Sequence, residues 1–261
     1  MTRKCGLTAI CLVMVLIGGA LAALAQQDRY DEQDEAVSPA ALAQFRKGER
    51  LAKNENFDEA VAAFRQAITL QPDYVQAYHQ MGLAYAGGNR YPEAVKAFKE
   101  AARLQPRWGQ VYENLGVAYI KMGHWQEARD AFAEAIRLHP DNPEAHYNLG
   151  LANGKLKRDQ EAQAQFAEAI RLDPAMAKAH KNLGLAYLNL GLLDQAQKSL
   201  QEAVRLDPKD AQAHYALCVY YARTGDTQAA NREFQALKQL DPKLAAKFSD
   251  LIRPGAPAQK P

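Results

Sequence analysis

The chain has 261 residues, 48% of them hydrophobic and 24% charged. This is enough apolar content for a sizeable core and rules out a disordered, low-complexity polymer. Lys and Arg number 32 against 30 Asp and Glu, so the concentrated basic surplus of a nucleic-acid binder is missing.

The N-terminal residues Arg3 and Lys4 precede an apolar run from about Leu7 to Leu21, then Ala23-Leu24-Ala25. That order of basic, apolar and small residues predicts a secretory signal (1–25) cleaved after Ala25, and hence a periplasmic or secreted chain. The alternative is an uncleaved membrane anchor, since Leu7 to Ala25 approaches the roughly 20 residues needed to span a bilayer. Cys11 follows Ile10 in mid-run, which does not fit a lipoprotein signal. Cleavage removes Cys5, Cys11 and two positive charges. It leaves Cys218 with no intrachain disulfide partner and a formally neutral chain.

Residues 26–40 read as an acidic flexible linker carrying Asp28, Asp31, Glu32, Asp34 and Glu35. The alternative role is a charged lid over a binding groove. Ser38 followed by Pro39 is an N-cap and first-turn pair, so the first helix should begin there.

From this point the chain repeats. Pro72, Pro106, Pro140, Pro174, Pro208 and Pro242 recur every 34 residues, each two residues after a leucine. With proline at position 32, the repeats are 41–74, 75–108, 109–142, 143–176, 177–210 and 211–244. Position 8 is then Gly48, Gly82, Gly116, Gly150, Gly184 and Cys218; position 20 is always alanine; position 24 is Phe64, Phe98, Phe132, Phe166, Leu200 and Phe234. Small residues at 8 and 20 let helices approach, and the large residue at 24 fills the space between them.

This pattern, with aromatics such as Tyr78 and Tyr112 at position 4, Leu-Gly at 7 and 8, and Tyr85, Tyr119, Tyr187 and Tyr221 at 11, resembles the tetratricopeptide repeat family. The resemblance covers 41–244. It implies an all-α solenoid, a right-handed superhelix of six helical hairpins whose first helices line a concave surface. A single hairpin buries little apolar area, so the units must stack. Phe248 and Leu251 begin an aborted seventh unit, read as a capping helix over 245–253, and 254–261 reads as a disordered tail.

Repeat 1 matches least, with Gln44, Lys47 and Leu51 at positions 4, 7 and 11, as expected of a terminal unit. Repeat 4 puts Asn153 and Gly154 where Tyr and a larger residue are expected, read as tolerated drift or a soft joint. Cys218 reads as a small buried hydrophobe.

His146, His180 and His214 recur at position 4. Residues one repeat apart lie at least a helix-packing distance from each other, about 8–10 Å, too far for ligands that each sit about 2 Å from one zinc ion, so no metal site is assigned and histidine is read as a stand-in for the aromatic. No catalytic triad spacing, phosphate loop, Cys-x-x-Cys or His-Glu-x-x-His is present, which predicts a non-enzyme without catalytic residues or cofactors.

The resemblance directs positions 2, 5, 6, 9, 12 and 13 of each first helix to the concave surface. Position 9 supplies an apolar floor of Leu83, Val117, Leu151, Leu185 and Val219. Position 5 adds His79, Glu113, Tyr147, Lys181 and Tyr215, and position 13 adds Lys121, Lys155 and Arg223. Position 6 places Asn114, Asn148 and Asn182 in three consecutive repeats. Carboxamides donate and accept together and can pair with a peptide backbone. This resembles the asparagine ladder of the protein O-GlcNAc transferase family; Asn is also common in the repeat consensus. The apolar position 9 departs from the two-carboxylate clamp of chaperone-binding members, so acidic C-terminal chaperone tails are not expected.

The expected function is that of an exported scaffold holding a protein or peptide segment in its groove, with no nucleic-acid partner and membrane contact only if the N-terminal segment is retained. The rivals are self-association through the ends and convex face, and presentation of substrate to a separate enzyme.

Overall fold

The structure is a computed structural model and describes residues 37–251. The expected signal, most of the acidic linker, the end of the expected capping helix and the tail lie outside the described residues.

Among the described residues the fold is all-α, with thirteen helices forming a solenoid-like succession. They fall into two compact units that divide between Arg90 and Tyr91. The first holds α1 (Pro39–Lys53), α2 (Phe57–Leu70) and α3 (Val75–Gly87). The second holds α4 (Tyr91–Leu104), α5 (Gly109–Met122), α6 (Trp125–Leu138), α7 (Pro143–Lys155), α8 (Asp159–Leu172), α9 (Ala177–Leu190), α10 (Leu193–Leu206), α11 (Ala211–Thr224), α12 (Thr227–Leu240) and α13 (Pro242–Leu251). Within the units, α1/α2, α5/α6, α7/α8, α9/α10 and α11/α12 are hairpins, each packed on its neighbours. None of these helices is long and apolar enough to cross a membrane.

Local chemistry sets the ends. Pro39 stands in the first turn of α1, and Ser38 Oγ accepts from the Ala41 N–H at 3.3 Å. At each second-helix end the residue before proline is pushed out of the helical region, as at Gln71 (φ −144°, ψ 95°) and Asp241 (φ −147°, ψ 92°). The turn inside every hairpin needs one left-handed residue, always at position 15. Gly123, Gly191 and Gly225 supply it at φ 74–79°, and in those repeats the first helix runs to position 14. Glu55, Asn89 and Lys157 adopt it at φ 59–61° without being glycine, and there the first helix stops one residue earlier.

The core is built from positions 8, 20, 24 and 27. Phe64, Phe132 and Leu200 are wholly buried, with Ala60, Ala67, Ala128, Ala135, Ala196 and Ala203 around them. A Cβ added to Gly116 would lie 2.6 Å from the Phe132 ring, and one at Gly150 2.6 Å from Phe166. The aromatic therefore rests directly on helix backbone.

Repeat 6 shows what happens without glycine. Cys218 is fully buried, and Phe234 and Ala230 are only partly covered. The compensation comes from Leu237 at position 27, wholly buried, and from α13, whose Phe248 ring lies 5.7 Å from that of Phe234. Burial pushes the Cys218 thiol up to about 12, which makes it inert at neutral pH. The capping helix starts at Pro242, three residues before the expected 245. Asp241 Oδ1 accepts from the N–H of Lys243 and Leu244, so its cap and the following proline also open the helix. In repeat 4, α7 runs unbroken through Asn153, which is buried, and Gly154, which is exposed.

Candidate peptide-binding face

Positions 5, 9 and 13 are four apart on a helix and form one stripe. In the second unit, the position-9 row keeps much of its apolar surface in solvent: Val117 is 41% and Leu185 36% exposed. Leu151 and Val219 are half-buried, the first against the core of α8 and α9, the second against that of α12 and α13. In the first unit, Leu83 on α3 is also exposed, at 37%.

Position 5 behaves differently from its reading as a set of open groove contacts. In repeats 1, 3, 4, 5 and 6 its side chains meet position 34, which in all of these but repeat 6 is the residue capping the next first helix. Glu113 Oε1 accepts from Asn142 Nδ2 at 2.7 Å, and Asn142 Oδ1 in turn accepts from the N–H of Glu144 and Ala145 at the start of α7. Lys181 Nζ donates to Asp210 Oδ2 at 2.6 Å, both side chains 18% exposed, and Asp210 Oδ1 caps α11. Burial raises the Asp210 carboxyl, but the Lys181 ammonium and the capping N–H groups outweigh it and leave it below the usual range.

Where position 34 is apolar, position 5 is aromatic. The Phe45 and Tyr74 rings lie 4.9 Å apart in the first unit, Tyr147 packs against the cluster of Ala169, Met176 and Ala179, and Tyr215 packs with Phe248 in a cluster that Leu244 also joins. Position 5 is thus a joint between repeats, charged against a polar cap and aromatic against an apolar one. The sequence carries a signal for this in the matched pairs at a spacing of 29, which no single repeat displays. His79 also departs from the open-groove reading. It is buried and held to about 4 by loss of solvation, so it does not lie on the open face.

The asparagines differ among themselves. All three are half-buried. Asn182 Nδ2 donates to Tyr147 Oη at 3.1 Å and to the Lys178 carbonyl at 3.0 Å, which leaves its oxygen as the open group. Asn148 makes no side-chain hydrogen bond among the described residues, so its whole carboxamide is available. Asn114 has a partner of its own. At position 13, Lys121 and Lys155 are exposed, with Lys155 Nζ 5.7 Å above the Trp125 ring. Arg223 Nη1 donates to the Leu188 carbonyl at 3.3 Å.

The histidines at position 4 have a structural role. Nε2 of His146, His180 and His214 donates to the carbonyl of Pro140, Pro174 and Pro208, and Tyr112 Oη does the same to Pro106. Each closes the turn six residues before it, so N–H and O–H donors are interchangeable there. His214 Nδ1 also lies 2.7 Å from Glu233 Oε2, which favours the charged ring and raises its pKa.

The sequence profile of the family described as cilia and flagella-associated protein 70 C-terminal domain matches residues 12–249. No curated protein sequence matches the chain. Among solved structures, YrrB, described as a TPR protein with an unusual peptide-binding site, is 25% identical with a TM-score of 0.63, covering 72% of this chain and 98% of its own. MamA from Desulfovibrio magneticus RS-1 is 26% identical with a TM-score of 0.62, covering 65% and 96%. PilF of Pseudomonas aeruginosa, at 18% identity and a TM-score of 0.67 over 80% and 96%, shares the fold. The 34-residue hairpins, the glycine–phenylalanine packing and these matches agree: the chain is a tetratricopeptide repeat protein and belongs to the family of the cilia and flagella-associated protein 70 C-terminal domain.

Proposed function

We propose that this scaffold holds an extended protein segment against the first-helix face of its second unit. The observation that carries the reading is the apolar row Val117, Leu151, Leu185 and Val219, left partly in solvent beside the unsatisfied Asn148 carboxamide. An apolar strip with hydrogen-bonding groups alongside takes side chains on the strip and backbone at its edge. The similarity to YrrB, itself described by a peptide-binding site, supports the same use.

Replacing the exposed Val117 and Leu185 together with serine leaves the core intact and removes the floor. Binding of 12-residue peptides selected against the full chain should weaken about tenfold or more, since each buried aliphatic side chain contributes about 1.5–3 kcal/mol. Selected peptides that bind the double variant unchanged, but lose affinity when exposed second-helix residues such as Lys198 and Arg205 are replaced, would move the site to the opposite face.

Export belongs to the same proposal, on the N-terminal order Arg3, Lys4, apolar run and Ala23-Leu24-Ala25. N-terminal sequencing of the chain purified from a secreting host should begin at Gln26. An intact Met1 or Thr2 in a membrane fraction would establish the anchor instead.

A further inference from the structure

The face proposed above differs in charge between its two borders. At the border formed by position 13, Lys121, Lys155 and Arg223 make no pair with a carboxylate among the described residues. Repeat 5 is the exception, with Asn189 Nδ2 donating to Asp159 Oδ1 at 3.0 Å. At the opposite border the cations are neutralised, Lys178 by Glu144 at 2.7 Å and Lys181 by Asp210. Glu113 stands there too, two helical turns or about 12 Å from Lys121. The apolar floor therefore runs between a neutral-to-acidic edge and a positive one.

Spacing restricts the bound chain further. Adjacent packed helices lie about 8–10 Å apart. A polyproline-II segment advances about 9.3 Å in each three-residue turn and leaves its backbone N–H and C=O groups unpaired. Every third side chain then falls on successive floor residues, and the free backbone meets the position-6 carboxamides. Of the two intervening side chains in each turn, one points to the position-13 border, where three cations make no carboxylate pair, and the other to the neutral-to-acidic border.

We propose that the occupant is an acidic segment of another protein, extended, with an apolar residue at every third position and Asp or Glu at the one intervening position that faces the cations. This rests on the groove reading above. It is a different arrangement from a clamp on a terminal carboxylate, because the cations lie along one edge and the floor is apolar.

Three fluorescein-labelled 12-residue peptides test it. All carry Leu or Val at every third position and Ser at one intervening position; the other intervening position is Asp/Glu, Ser/Gln or Lys. Fluorescence anisotropy is measured with the full chain, with Lys121→Gln/Lys155→Gln/Arg223→Gln, and with Val117→Ser/Leu185→Ser, each checked for helix content by circular dichroism. The acidic peptide should bind about 5–10-fold more tightly than the Ser/Gln peptide, with the advantage shrinking as salt rises and vanishing in the triple variant. The serine variant should lose both peptides.

If acidic and neutral peptides bind alike and the serine variant releases both, the groove stands. The cations then serve only the helix ends, whose partial negative charge also favours them, and the acidic proposal is overturned. An acidic preference that survives the triple variant overturns it equally. If no peptide binds, or the serine variant holds all of them, the groove reading falls and this inference with it.

Discussion

Phe132→Ala should lower the unfolding free energy by about 3–5 kcal/mol, read as a shift in the urea midpoint by circular dichroism. Phe132 is fully buried, and its ring lies against the backbone of Gly116, a position with no side chain that could move into the hole. Ala128 and Ala135, the small residues on its own helix, are equally unable to fill it. The cavity therefore persists, which places the loss towards the upper end of the range.

The complementary change makes the argument specific. Gly116→Val alone should cost about 1–3 kcal/mol by overpacking, because its Cβ would sit 2.6 Å from the ring. In the Phe132→Ala background the same change should recover part of the loss. Additive costs in the double-mutant cycle, or a Phe132→Ala effect below about 1 kcal/mol, would show that the pair is not the unit of packing.

Acidification should destabilise the first unit through His79. Its folded pKa is about 4, against about 6.5 in an unfolded chain. Between these values the unfolded chain binds a proton that the folded one does not, so stability rises with pH across the window. The contribution is complete above about pH 6.5 and is lost as pH falls towards 4, by roughly 2–3 kcal/mol.

His79→Tyr, the residue at the same position in repeats 4 and 6, should remove that slope. Urea titrations at pH 7 and pH 4 measure it, and equal losses in wild type and variant would rule out His79 as the source. His214 acts in the opposite sense and in the other unit. Its pKa is raised by Glu233, so its contribution is full below the unfolded value and is lost as pH rises through the folded one. Comparison with the His79 variant keeps the two apart, since His214 is common to both proteins.

Much of this protein is legible residue by residue. The proline period, glycine at 8, alanine at 20 and the large residue at 24 specify hairpins and their internal packing, because each is a local requirement that recurs in one sequence frame. Ser38 and Pro39 mark the first helix for the same reason. The exposed floor at Val117 and Leu185 follows from that frame as well.

The joints between repeats were decided only in three dimensions. Glu113, Lys181 and Asn182 are the residue types of a ligand site, yet each bonds a side chain of a neighbouring repeat, Asn142, Asp210 and Tyr147, 29 to 35 residues away. Polar side chains are ambiguous in sequence, since a donor serves a peptide or a helix cap equally well. His79 is ambiguous in the same way until burial removes its charge. An apolar pattern records which residues need neighbours. Which polar groups remain for a partner depends on how stacked repeats have already used them.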